Sequence, residues 1–158
     1  MGLFRVDEVL QIAMQAEETG RLLYEAVANQ ATNVEVQGLC RQLAAQEKAH
    51  FDTFKTMKDS LANRIDSRRL SVEEMAFVQG LVSGNVVPDE AQARRLAREN
   101  SLQGVLDLAI QAEKDSQAFY RQILPGVDGA NAAAVQRIID EENTHQQRLE
   151  QVRARLGE

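Results

Sequence analysis

Two histidines, two tyrosines, one cysteine, two prolines and no tryptophan occur in this chain of 158 residues. Each scarcity excludes something. A single cysteine, Cys40, allows no internal disulfide and no CxxC knuckle for metal or redox work, and it suits a reducing cytosol. Cys40 itself reads as a small core residue. No apolar run approaches the roughly 18 residues of a membrane span. The opening MGLFRVDEVL has no signal-peptide core, and Val6 stands where a myristoylation pattern requires Ser or Thr. A net charge of −6 argues against nucleic acid or an anionic membrane as partner. The expected location is the cytoplasm. Few prolines and nine glycines, among abundant alanine, glutamine, leucine and arginine, favour helix over sheet. The length fits one domain, residues 1–158, with a sizeable core.

What is present is a repeat. AMQAEETGRLLY (13–24) and AIQAEKDSQAFY (109–120) share Ala, Gln, Ala, Glu and a final Tyr at an offset of 96. AQEKAH, ending at His50, and EENTH, ending at His145, each place a glutamate three residues before the histidine, at an offset of 95. With fifteen glutamates in the chain, two such pairs arise by accident about once in a hundred sequences. The chain therefore reads as two helical hairpins, the second helix of each carrying the histidine.

Four seams with alternating steps of four and three support this. They run Val6, Leu10, Ala13, Glu17, Gly20, Tyr24, Val27 in the first helix and Val36, Cys40, Leu43, Glu47, His50, Phe54, Met57, Leu61 in the second. The third gives Leu102, Leu106, Ala109, Glu113, Ser116, Tyr120, Ile123, and the fourth Asn131, Val135, Ile138, Glu142, His145, Leu149, Val152, Leu156. Glutamate interrupts all four apolar seams. Glu18 and Glu141 flank two of these glutamates but leave the seam, and they read as surface, although an offset of one in the helix phase would exchange a role with Glu17 or Glu142. The stretches RIDSRRL and ARRLAREN read as solvated basic faces.

The breaks agree. NQATN (29–33) and PGVDGAN (125–131) close the two hairpins. Between roughly 62 and 101 lies a crossover of about forty residues, long enough to span a bundle. Within it, Ser71 with Glu74 forms a capping box, Pro88-Asp89 starts a further helix or an extended lead, and VSGNVVP (82–88) is the least helical stretch.

Residues three apart project from one helix face. Glu47 with His50, and Glu142 with His145, thus each offer an oxygen and an imidazole nitrogen to one ion. Glu17 and Glu113 add a carboxylate from each remaining helix. Four carboxylates and two imidazoles form the ligand set of di-iron and di-manganese carboxylate bundles. The carboxylates' four negative charges balance two divalent cations; without metal, several would have to take up protons. Tyr24 and Tyr120, each seven residues past a seam glutamate, read as buried aromatics whose hydroxyls reach a ligand carboxylate or relay a proton.

A seam Glu followed seven later by Tyr, then Glu-x-x-His, then both again, resembles the rubrerythrin branch of the ferritin-like superfamily over about residues 5–155. LAIQAEKDSQAFY and FVQGLVSGNVVPDE resemble its stand-alone members, which lack a rubredoxin domain. The resemblance implies an all-α ferritin-like four-helix bundle, two hairpins joined by a long crossover with short extra helices. It implies two iron ions, or alternatively manganese, with Glu47 and Glu142 bridging, Glu17 and Glu113 terminal, and His50 and His145 on one metal each. It further implies reduction of peroxide or O2 with electrons from an external donor such as a rubredoxin-like protein or flavin reductase, and a homodimer. Oxidation of iron without multiple turnover is the alternative. Rubrerythrins carry a further glutamate where this sequence has Ser116; Gly20 is the matching position on the first helix. Two small residues there leave room over the site for water, peroxide or oxygen.

Overall fold

The computed structural model describes residues 6–62, 90–99, 101–127 and 129–157. Asp7 and Glu8 in the first turn of helix α1 (Val6–Gln30) complement the positive end of its dipole. A three-residue turn follows, and the Asn33 side chain accepts the Val36 N–H at 3.1 Å to cap helix α2 (Val34–Ala62). Helix α3 (Glu90–Glu99) agrees with a helical start after Pro88-Asp89 and lies against α1. Ser101 caps helix α4 (Leu102–Ile123), its hydroxyl accepting the Gly104 N–H at 3.1 Å. A 3₁₀ turn at Leu124–Gly126, with Pro125 near its start, ends that helix. Helix α5 (Gly129–Leu156) opens at Gly129, whose φ of +49° is a left-handed conformation that glycine adopts without a Cβ clash. The Ser71–Glu74 capping box and the 82–88 stretch lie outside the described residues.

The core falls into two clusters, and their membership fixes the helix directions. One joins the C-terminal halves of α1 and α5 (Tyr24, Val27, Leu149, Val152) to the N-terminal halves of α2 and α4 (Val36, Leu43, Leu106, Ala109). The other joins the opposite halves: Val9, Leu10, Phe54, Met57, Phe119, Tyr120, Val135 and Ile138. Hence α1 runs antiparallel to α2, α4 runs antiparallel to α5, and α2 is parallel to α4. The chain leaves α2 at one end of the bundle and re-enters α4 at the other. At 1.5 Å per residue a helix of this length covers roughly 40 Å, a distance that a short loop cannot bridge. The long crossover is required by that geometry. Among the described residues there is no strand, and no helix is long and apolar enough to cross a membrane.

All the seam positions lie inward, the least covered being partly buried: Gly20, Leu61, Leu102, Ser116, Asn131 and Leu156. The buried faces are wider than the seams, however. Val9, Met14, Leu23 and Ala28 on α1, and Val105, Ile110 and Phe119 on α4, are buried as well. A helix packed between two neighbours needs a broader apolar stripe than a two-stranded seam, and α1 contacts α2, α3 and α4. Cys40 is a buried free thiol in the first cluster, and burial pushes it up to about 12.

Candidate metal centre

Between the two apolar clusters lies a polar layer. On α1 it occupies Glu17, between Met14 and Leu23; on α2, Glu47 and His50, between Ala44 and Phe54. On α4 it holds Glu113, between Ile110 and Phe119, and on α5, Glu142 and His145, between Ile139 and Leu149. All six are buried, none more than 5% exposed. Charged groups are almost never this deep unless something compensates them.

Their donor atoms converge in two overlapping sets. Glu17, Glu47, His50 and Glu142 each offer one atom, all within 4.8 Å of one another, and so do Glu47, Glu113, Glu142 and His145. Either set could hold a metal ion, and Glu47 and Glu142 belong to both. His50 Nδ1 lies 3.4 Å from Glu17 and 3.3 Å from Glu142 Oε1. His145 Nδ1 lies 2.9 Å from Glu142 Oε2, 3.2 Å from Glu47 and 3.6 Å from Glu113. Glu142 thus turns one oxygen to each imidazole. The two rings stack nearly parallel, with centroids 5.6 Å apart.

These contacts are close but poorly formed as hydrogen bonds. Glu17 Oε2, Glu47 Oε1, both Glu142 oxygens and both Nδ1 atoms are buried without a hydrogen-bond partner. Orphaned buried polar atoms are rare in folded proteins and call for an explanation. Six of them aimed at a common centre, four carboxylate oxygens and two imidazole nitrogens, fit a pair of metal ions.

Protons must stand in for the ions in the metal-free chain. Burial, then repulsion from neighbouring carboxylates, raises Glu47 and Glu142 well above the ordinary carboxylate range. Burial opposes charge on the histidines too, but the surrounding carboxylates win: His50 rises to about 9 and His145 to about 12. Burial opposes charge on Glu17 too, yet the adjacent His50 and Glu47 and the Tyr120 hydroxyl together hold it below its usual value.

The tyrosines cross the bundle reciprocally. Tyr24 on α1 donates to Glu113 Oε1 on α4, and Tyr120 on α4 donates to Glu17 Oε1 on α1. Burial and the adjacent carboxylates raise both hydroxyls well above 10, so they remain donors.

Two details depart from the sequence reading. Glu141 is not simply a surface residue: its side chain is 43% exposed, but its carboxylate lies 2.6 Å from His50 Nε2. The heptad phase hides this, because Glu141 reaches the partner helix from beside the seam. Its position next to Glu142 is the only sequence signal. Glu18, by contrast, pairs with Arg21 at 2.5 Å on the outer face, as expected. Secondly, the space at Gly20 is taken up by protein. A Cβ there would stand 2.9 Å from Glu47 Oε2, so the glycine makes room for that carboxylate.

The comparisons with known proteins agree with this geometry. A search of curated protein sequences finds no match at a significant level. A crystal structure from Thermotoga maritima, described as a candidate ferritin-like diiron-carboxylate protein, superimposes with a TM-score of 0.75 at 25% identity, covering 98% of this chain and 97% of that one. The fold is accordingly the ferritin-like bundle. Residues 8–153 match the rubrerythrin family, and with nearly the whole bundle so matched, the chain belongs to that family.

Proposed function

We propose that this chain is a di-iron carboxylate redox protein that reduces peroxide or O2 with electrons from an external donor. The observation that carries the reading is the pair of donor sets that share Glu47 and Glu142. In this reading Glu47 and Glu142, common to both donor sets, would help hold both ions, with Glu17 and His50 serving one and Glu113 and His145 the other. Two such ions, when bound, supply Lewis acidity and a store of two electrons. The chain's residues do the remainder. Apolar clusters on both sides keep the layer dry, which strengthens every charge interaction within it. Tyr24 and Tyr120 hold the terminal carboxylates in place through their hydroxyl protons. Manganese would satisfy the same hard donors.

The sequence carries one cysteine, so no cysteine-bound iron centre lies within these 158 residues. Repeated turnover therefore needs an outside reductant, and a homodimer with such a donor completes the reading. Without a donor, peroxide or O2 would take electrons from the ferrous ions once and turnover would stop, which is the iron-handling alternative.

The test is metal content per chain on protein purified without chelator, beside Glu47→Ala/Glu142→Ala. About two ions per wild-type chain, absent from the double variant, is the expected result. Peroxide added anaerobically to ferrous protein then separates the alternatives: cycling with an added reductant marks a peroxidase, a single oxidation marks iron handling. Failure to take up Fe(II) anaerobically would sink both.

A further inference from the structure

The two histidines differ in what stands behind them. His50 turns Nδ1 to the cluster, and its Nε2 meets the carboxylate of Glu141, on the opposite helix α5, at 2.6 Å. His145 also turns Nδ1 to the cluster, but its Nε2 is buried with no hydrogen-bond partner. The offset of 95 that carries His50 onto His145 carries Gln46 onto Glu141. By the same offset the residue that corresponds to Glu141 behind His145 is Gln46, on α2, although the structure forms no hydrogen bond between the two. The Gln46 side-chain oxygen is likewise buried without a partner. Two orphaned buried atoms, a ring nitrogen and an amide oxygen, thus stand at positions related by the sequence repeat.

We infer that Gln46 accepts the Nε2 proton of His145 as Glu141 accepts that of His50, and that this carboxylate–amide difference makes the two metal positions unequal. Each partner fixes its ring in the tautomer that presents a bare Nδ1 to the cluster. Of the two, only Glu141 is a carboxylate. It polarises the His50 ring and makes that Nδ1 the stronger donor, whereas the neutral amide does so weakly. The His50 position then binds a divalent ion more tightly. Glu141 and Gln46 are positioning residues, acting through the histidines. The inference rests on the di-metal reading proposed above.

Co(II) titration, followed by visible absorption and calorimetry, tests it on wild type, Glu141→Gln, Gln46→Glu and the exchanged double variant. Near-isosteric changes keep the packing, and far-UV circular dichroism checks the fold. Wild type is expected to bind in two steps about ten-fold or more apart. E141Q weakens the first step about ten-fold so that the two merge. Q46E tightens the second, and the double variant restores two separated steps. A merely structural role for Glu141 would not be rescued by moving the charge to the other helix. Two equal steps in wild type, or E141Q titrating like wild type, would overturn the inference while leaving the di-metal site standing. No Co(II) binding by wild type would overturn both.

Discussion

Tyr24 donates its hydroxyl proton to Glu113 across the bundle, from α1 to α4. The sequence repeat gives Glu113 its own tyrosine, Tyr120, seven residues on, but that hydroxyl goes to Glu17 instead. Each half of the molecule thus holds a buried carboxylate of the other. The exchange follows from helix direction: α1 and α4 are antiparallel, so two turns past the glutamate on one helix lies beside the other apolar cluster.

Removing either hydroxyl strips a buried carboxylate of its donor. Tyr24→Phe is expected to destabilise the metal-free protein by about 2 kcal/mol, since hydrogen bonds to charged groups contribute about 1.5–3. For a chain of this size that lowers Tm by roughly 4–8 °C. Metal affinity should fall about ten-fold, as for other groups that orient a ligand. Differential scanning calorimetry and metal titration check both; an unchanged affinity would mean that Glu113 needs no orienting.

Protonation dictates how the metal-free fold responds to pH. His50, raised to about 9, and His145, raised to about 12, hold protons in the folded state that the unfolded chain releases near 6.5. Their stabilisation is complete below 6.5 and is lost as pH rises through the folded values. Glu47 and Glu142, also raised, act in the same direction from about 4.5 upward. Glu17 is lowered, so its contribution is complete above 4.5 and disappears only in acid. Chelator-treated protein should therefore be most stable near pH 4.5–6.5, with Tm falling steadily from pH 6.5 to 9. Metal-loaded protein should not follow it, because metal binding displaces these protons and strengthens as pH rises. Parallel melting curves for the two forms would refute the proton-for-metal exchange.

Much of this was legible in the sequence because the signals are periodic. The four seams, the glutamates within them and the two Glu-x-x-His pairs depend on helix phase alone, and the six residues do converge. The crossover was legible as length, and the helix directions explain why it must be long. What periodicity misses is contact from beside the seam. Glu141 reaches His50 from an adjacent helix, and no heptad register reports that. The destination of each tyrosine was hidden likewise, since its partner lies on a different helix. Gly20 read as open space because a missing side chain does not say what fills the gap.

Gly20 separates fold stability from site geometry. Alanine is about 1 kcal/mol the better helix former, so Gly20→Ala should leave the metal-free Tm unchanged or raise it by roughly 2–4 °C. The added Cβ would stand 2.9 Å from Glu47 Oε2, however, and the carboxylate must turn away. Because Glu47 belongs to both donor sets, binding of both ions should weaken, by about ten-fold or more. A stabler protein that binds metal less well is the expected signature. Undiminished binding would mean that Glu47 reaches the ions from another rotamer.

Metal removal should show the site's share of stability directly. An ion bound only by the folded chain contributes about 2.7 kcal/mol at a hundred times its dissociation constant. Two such ions would raise Tm by roughly 10–20 °C over chelator-treated protein. Glu142→Gln separates this gain from the strain of the empty layer. The amide approximates the neutral form that burial already favours at Glu142, so above pH 6.5 the metal-free variant should melt higher than metal-free wild type. Added Fe(II) or Mn(II) should then raise its Tm far less, because an oxygen turned toward each histidine has become part of an amide. A wild-type Tm indifferent to chelator and to added metal would instead mark the buried carboxylates as pairing devices of a structural bundle.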